Sequence, residues 1–199
     1  MTPDRYQLRQ QLRAKRRALS ADERHEAALA LARRVVDWPV YTEAFRIAGY
    51  WACHGELDPT PVFERAWAAG KQVYLPVLVD DPPQSLRFAP YRLGSPLRPN
   101  RFKIPEPDMP AIEWLPPNQV DLLLLPLVAF DSAGTRLGMG GGFYDRSFAF
   151  LRDPAYQGKR PYLLGLAYTF QKTPDLLLRE LWDVPLNAVA TETALQVFA

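Results

Sequence analysis

Apolar residues first recur every three or four positions, then gather into short unbroken runs divided by polar turns. In residues 4–19, Leu8, Leu12 and Leu19 fall on one face, which predicts a helix. Ser20-Ala-Asp-Glu23 is a capping box, in which the serine hydroxyl and the glutamate carboxylate each accept from the other's free backbone N–H. It opens a second helix over 21–37, with Ala27, Leu31 and Val35 inward, and Pro39 stops it. Residues 45–53 read as a buried strand broken by Gly55, and a helix begins near Thr60. Gly70-Lys71 turns the chain into a strand over 72–79, and 85–91 forms a further strand or ribbon. Residues 92–119 carry Pro96, Pro99, Pro105, Pro107, Pro110, Pro116 and Pro117, which predicts loops. The apolar run 120–130 is the central strand. A helix over 143–151, a strand over 161–168, a short helix over 174–182 ending at Trp182, and a short strand over 188–191 complete the series.

Strands separated by helices imply a mostly parallel sheet covered on both faces, an α/β architecture. No repeat or linker divides the 199 residues, so residues 1–199 are expected to make a single domain, with the basic helix 4–19 packing onto the α/β body. Hydrophobic residues make up 48% and charged residues 23%, an ordinary globular balance. The formal charge of +2 argues against a general nucleic-acid coat. Cys53 is the one cysteine, so no internal disulfide forms. With only His25 and His54 beside it, a zinc site would need several carboxylates. Cys53 and His54 read as structural, and His25 as a surface residue. The first residues are charged and lack an apolar signal core, and the longest apolar run is too short for a membrane span. A cytoplasmic protein with no membrane contact is expected.

The chemistry concentrates in R-L-G-M-G-G-G-F-Y-D-R, residues 136–146, placed between the central strand and a helix start. Backbone N–H groups exposed at such a junction favour an anion. Arg136 and Arg146 add cationic donors, and Asp145 is placed to hold a metal bridging a phosphate. The stretch is neither a Walker loop, since no Lys-Ser/Thr follows, nor a dinucleotide fingerprint, since Phe143 stands at the third glycine position. The alternative is a tight turn whose glycines serve geometry alone. On the first helix, Arg5, Arg9 and Arg13 form a stripe at i, i+4, i+8, which is either a solvated face or a reach toward polyphosphate. Glu56, just past a strand end, lies where open α/β sheets bind ligands; it is otherwise a loop acid near a helix start.

Several segments together resemble the 5-formyltetrahydrofolate cyclo-ligase (methenyltetrahydrofolate synthetase) family. Beside the glycine loop stand the basic helix with Leu8-Arg9, G-E-L-D at 55–58, G-K-Q-V-Y-L-P at 70–76, I-P-E-P at 104–107, D-L-L-L-L-P-L-V-A-F-D at 121–131 and W-D-V-P-L near the end, in family order. The resemblance implies a three-layer α/β sandwich similar to the ribose-phosphate isomerase and CoA-transferase group. It implies ATP-dependent closure of 5-formyltetrahydrofolate to 5,10-methenyltetrahydrofolate through a phosphorylated formyl group, with release of ADP and phosphate. By the same resemblance Arg5 and Arg9 contact ATP phosphates, with Arg5 in place of a more usual lysine. Residues Arg136, Leu137, Gly138, Met139, Gly140, Gly141, Gly142, Phe143 and Tyr144 form the ATP loop. Arg9, Arg136 and Tyr144 are the expected catalytic residues. Trp51, Glu56 and Phe102 face the folate, with Met139 to Phe143 bordering it. Asp145 and Asp183 match magnesium carboxylates, Mg2+ being the implied metal. Met139 and Gly141 replace basic residues of some members, which leaves more of the phosphate to backbone N–H groups. A monomer is expected. Two other readings of the same residues are a non-catalytic nucleotide- or RNA-binding protein and a phosphosugar isomerase. The basic stripe includes Tyr6 but no other aromatic, which makes nucleic acid an unlikely partner.

Overall fold

The computed structural model describes residues 4–80 and 82–198. Helix α1 spans Arg5–Ala18, and its N-cap Asp4 accepts from the Tyr6 N–H. Helix α2, Ala21–Val36, opens on the predicted capping box: Ser20 Oγ accepts from Glu23 N at 3.1 Å, and Glu23 accepts from Ser20 N at 2.7 Å. Pro39 ends that helix as expected but also begins another, α3, Pro39–Glu43, where a proline fits the first turn.

Strand β1 covers only Arg46–Ala48 of the expected 45–53; the chain then leaves the sheet to build the site. Helix α4 is Thr60–Ala68, strand β2 Gln72–Val79 and strand β3 Ser85–Pro90. The proline-rich segment is mostly loop but pairs once with itself, through β4, Leu97–Pro99, and β5, Pro105–Pro107. The apolar run 120–130 is two strands, not one. Strand β6, Leu122–Pro126, lies in the main sheet, while β7, Ala129–Phe130, turns out of it to pair with β8, Arg136–Leu137. Pro126 marks the break because it has no N–H to continue the ladder. Helix α5 is short, Phe143–Ser147, and a 3₁₀ turn follows over Ala149–Arg152 instead of the expected helix to 151. Strands β9, Tyr162–Leu166, β10, Ala188–Ala190, and β11, Leu195–Val197, close the chain.

Residues 174–182 are not the expected helix but an extended loop. Their backbone is engaged elsewhere: Leu177 N donates to Asp131 Oδ2 at 2.9 Å, and the Leu178 and Leu181 carbonyls accept from Arg5 and Arg152.

The seven-stranded sheet runs β11-β10-β9-β6-β1-β2-β3, parallel from β10 to β2 and antiparallel at both edges. Leu122, Leu123, Leu124 and Leu125 of β6 are fully buried because both faces are covered, which explains why the strand reads as a continuous apolar run. Leu122 and Leu124 join the core beneath α2 and α4, and Leu123 and Leu125 the core beneath Phe148 and Val184. The fold class is therefore as expected. The second covering layer is built largely from loops and short turns around α5. The five parallel strands, taken in chain order, lie 2-1-3-4-5. The order reverses between β1 and β6, and open α/β sheets bind ligands at such a point.

Candidate active site

A cleft of about 1230 Å³ opens where the chain leaves β1 and β6. Its wall includes Tyr50 and Trp51 after β1, Pro126 and Leu127 after β6, the whole glycine loop, and Arg5 and Arg9 from α1. Except for Arg13, every residue singled out in the sequence for binding or catalysis borders it: Arg5, Arg9, Trp51, Glu56, Phe102, residues 136–146 and Asp183.

The glycine loop leaves its donors open. Among the described residues, none of the N–H groups of Gly138, Met139, Gly140, Gly141 and Gly142 donates to another protein group. Two positions need glycine for conformation: Gly140 at φ +99° and Gly142 at φ +66°. A Cβ on Gly142 would also sit 2.7 Å from the Arg146 guanidinium, which donates to the Gly141 carbonyl and, at 2.7 Å, to Gln84 Oε1. Arg146 thus braces the loop from outside. With α5 only five residues long, the loop's own N–H groups contribute more than a helix dipole.

Three arginines fix the loop's surroundings. Arg9 Nε donates to the Gly138 carbonyl at 2.9 Å, while burial and neighbouring Arg5 lower its pKa. Arg136 donates to the Val184 carbonyl and pairs with Asp145 at 2.5 Å. Arg5 bonds the Leu178 carbonyl at 3.0 Å and lies 3.4 Å from Glu180 and 3.5 Å from Asp183. The stripe therefore divides. Arg5 and Arg9 face the cleft, whereas Arg13 does not border it. Leu137 borders the cleft while its side chain packs in the core with Leu12, Val128 and Ala129.

Asp145 and Asp183 both border the cleft, but each is engaged. Asp145 Oδ1 accepts from Arg136 and from Val184 N at 3.1 Å, and Asp183 Oδ2 accepts from Glu180 N at 2.9 Å. One oxygen of each carboxylate takes no protein donor among the described residues. Those residues contain no cluster of three or more metal-ligating side chains. Two carboxylates with free oxygens fit magnesium, which keeps waters and phosphate oxygens as its other ligands.

The other half of the cleft is aromatic. Phe102 meets Phe143 edge-on at 5.8 Å, with the Arg101 guanidinium 5.3 Å from the Phe102 ring. The Phe102 loop is held by two residues that the sequence reading passed over. Asn100 Oδ1 accepts from Phe102 N at 2.8 Å and Ile104 N at 3.1 Å, and buried Glu106 accepts from Asn100 Nδ2 and Leu78 N, both at 2.9 Å. Trp51 packs edge-on to Tyr91 at 6.3 Å.

Glu56 lies deep between these halves. Cys53 N donates to its Oε2 at 3.2 Å and the Cys53 thiol lies 3.5 Å away, so Cys53 braces the Glu56 carboxylate. Burial raises the Glu56 pKa, against the pull of the Cys53 N–H and of Arg16. Burial and Glu56 raise the Cys53 thiol to about 12. Burial, then the Glu56 charge, also pushes the Tyr144 hydroxyl up, keeping it a neutral donor. Arg16 was not anticipated; its one sequence signal is that it follows inward Leu12 by four positions on α1.

The model of the 5-formyltetrahydrofolate cyclo-ligase family matches residues 1–192. The chain is 41% identical over 180 residues to the 5-formyltetrahydrofolate cyclo-ligase of Escherichia coli K12, covering 90% of this chain and 96% of that one. It is 38% identical over 185 residues to the Haemophilus influenzae cyclo-ligase, covering 93% and 96%. The solved structure of Aquifex aeolicus 5,10-methenyltetrahydrofolate synthetase superposes with a TM-score of 0.80 at 28% identity, covering 97% of this chain and 92% of that one. Matched along nearly its whole length in sequence and in fold, the chain belongs to the 5-formyltetrahydrofolate cyclo-ligase family.

Proposed function

We propose that the protein closes 5-formyltetrahydrofolate to 5,10-methenyltetrahydrofolate at the expense of ATP, as a one-domain cytoplasmic monomer. The observation that carries this reading is the row of open N–H donors at Gly138–Gly142, flanked by Arg9 and Arg136 at one end of a cleft whose other end is aromatic. Triphosphate suits the first end and a flat pterin the second.

The formyl oxygen attacks the γ-phosphorus, the bond to the β-phosphate oxygen breaks, and ADP leaves. N10 then attacks the activated formyl carbon, and phosphate departs with the N10 proton as the ring closes. The protein's part is placement and charge neutralisation. Arg9 and the loop N–H groups hold the phosphates. Arg136, fixed by Asp145 and Val184, keeps a cation beside the transferring group. Tyr144, neutral, donates a hydrogen bond into the reacting region. Trp51 and Phe102 sandwich the ring system, and Glu56 bonds the pterin edge. Asp145 and Asp183 would hold Mg2+, which would supply charge to offset the phosphates. An amide oxygen has no proton to remove, so the site needs no histidine base.

The test is direct. Protein, ATP, magnesium and 5-formyltetrahydrofolate are mixed, and the near-ultraviolet absorbance of the methenyl product is followed beside an ATP-free control. Product without ATP, or none with it, removes the proposal.

A further inference from the structure

Arg16 is the most thoroughly enclosed charge on α1, with its side chain 1% exposed. It makes one hydrogen bond, Nη1 to the Leu127 carbonyl at 3.2 Å, while buried Nε and Nη2 find no partner among the described residues. A guanidinium can place five donors, and an aliphatic side chain would fill the same space without desolvating a charge. What accounts for the charge is Glu56, whose Oε1 lies 4.0 Å from Arg16 Nη1.

We propose that Arg16 is a positioning residue for Glu56: standing behind the cleft, it fixes the Glu56 side chain and supplies its buried counter-charge, touching neither substrate. This inference rests on the reading of Glu56 as a folate contact. The groups facing Glu56 are Cys53 and His54 on its own loop, Tyr50 after β1, Tyr144 on α5 and Arg16 on α1. Arg16 is the buried cation among them, since His54 is exposed. Burial works against the carboxylate, and Arg16 works against burial.

The backbone secures the arrangement. Gly55 takes φ +75°, and a Cβ there would lie 2.9 Å from the Arg16 carbonyl oxygen. The Glu56 loop is therefore pressed onto α1 at the turn that carries Arg16. Arg9 and Arg16 are two turns apart, about 10 Å along the helix axis. One helix thereby registers the loop at Gly138 against the carboxylate at Glu56.

The experiment follows kcat/KM for 5-formyltetrahydrofolate against pH in the full chain and in Glu56→Gln, Arg16→Met and Arg16→Lys. Glu56→Gln should erase the acid limb. Arg16→Met should move that limb upward by about one to three pH units, with Arg16→Lys between it and the unmodified protein and the KM for ATP unchanged. A folded Arg16→Met with an unmoved limb, beside a Glu56→Gln that alters folate kinetics, overturns the role of Arg16 alone. If Glu56→Gln changes neither folate KM nor the limb, the reading of Glu56 fails and this one falls with it. Should Arg16→Met not fold, the Arg16→Met/Glu56→Gln double variant decides: recovery of a cooperative melt supports the pairing, and no recovery overturns it.

Discussion

Arg136 and Asp145 meet across the glycine loop, Nη2 to Oδ1 at 2.5 Å, and both are tied to Val184: Arg136 donates to its carbonyl, and its N–H donates to Asp145 at 3.1 Å. The two ends of the loop are thus bound to each other and to the segment that presents Asp183. The open N–H donors between them are held by a frame, so they stay available to an anion without collapsing onto the protein.

Removing Asp145 separates its pairing with Arg136 from its proposed metal role. Asp145→Ala leaves the Arg136 guanidinium, 7% exposed, without its counter-charge; with Asp145 itself 22% exposed and the Val184 carbonyl still accepting from Arg136, the loss is about 1–3 kcal/mol. Asp145→Asn keeps an acceptor for Val184 and should melt closer to the unmodified protein. Both should lose ATP-dependent formation of the methenyl product. Thermal melts and the absorbance assay check this; ordinary turnover in Asp145→Asn overturns the proposed metal role of the carboxylate.

Arg9→Ala should raise the KM for ATP about ten- to a hundred-fold, the range for losing one charge-assisted hydrogen bond together with a phosphate contact. The same variant frees the Gly138 carbonyl that Arg9 now holds at 2.9 Å. Steady-state kinetics with ATP varied at saturating folate measure the effect; unchanged ATP kinetics would make Arg9 a brace for the loop and nothing more.

The clasp beneath Phe102 makes a prediction about the other substrate. Asn100→Ala removes the acceptor for Phe102 N and Ile104 N and the donor to Glu106. The loop then loses its fixed turn, and folate KM should rise several-fold while ATP KM stays put. Glu106→Ala should do the same and also lower the melting temperature, because Leu78 N is left unpaired at a cost of about 1–3 kcal/mol. Equal shifts in both KM values would argue against a folate-side role.

Cys53 should be slow toward alkylation in the folded protein. Its thiol is pushed to about 12 by burial and the adjoining Glu56 carboxylate, so the neutral thiol persists through pH 8. The reacting thiolate is then scarce, and labelling by iodoacetamide at pH 8 should be at least about a hundred-fold slower than in the denatured chain. Glu56→Gln removes the repelling charge and should quicken it. Labelling at the denatured rate would show an open, unperturbed thiol.

Much of the fold could be read along the chain where local signals agreed with burial. The Ser20/Glu23 box opens α2, β2 covers 72–79, and the Gly-rich stretch lies on the cleft. The reading failed where distant partners override local pattern. One apolar run became β6 and β7, because a second ribbon partner at 136–137 draws 129–130 out of the sheet. The stretch 174–182 has helical composition, yet its backbone is claimed by Asp131, Arg5 and Arg152. Strand β11 is too short to stand out alone and exists through its pairing with β10.

By itself the sequence determined the α/β class, the family and a set of candidate residues, most of which border the cleft. The class follows from spacing and turn chemistry, and the family and most candidate residues from a resemblance carried by ordered motifs, all of them properties of neighbours along the chain. Only the tertiary structure decided that Arg136 faces Asp145, that Asn100 and Glu106 hold the Phe102 loop, and that Arg16, read as one more basic residue, lies enclosed behind Glu56. Pairings of this kind depend on which side chains share a space sealed from water, and position along the chain does not encode that.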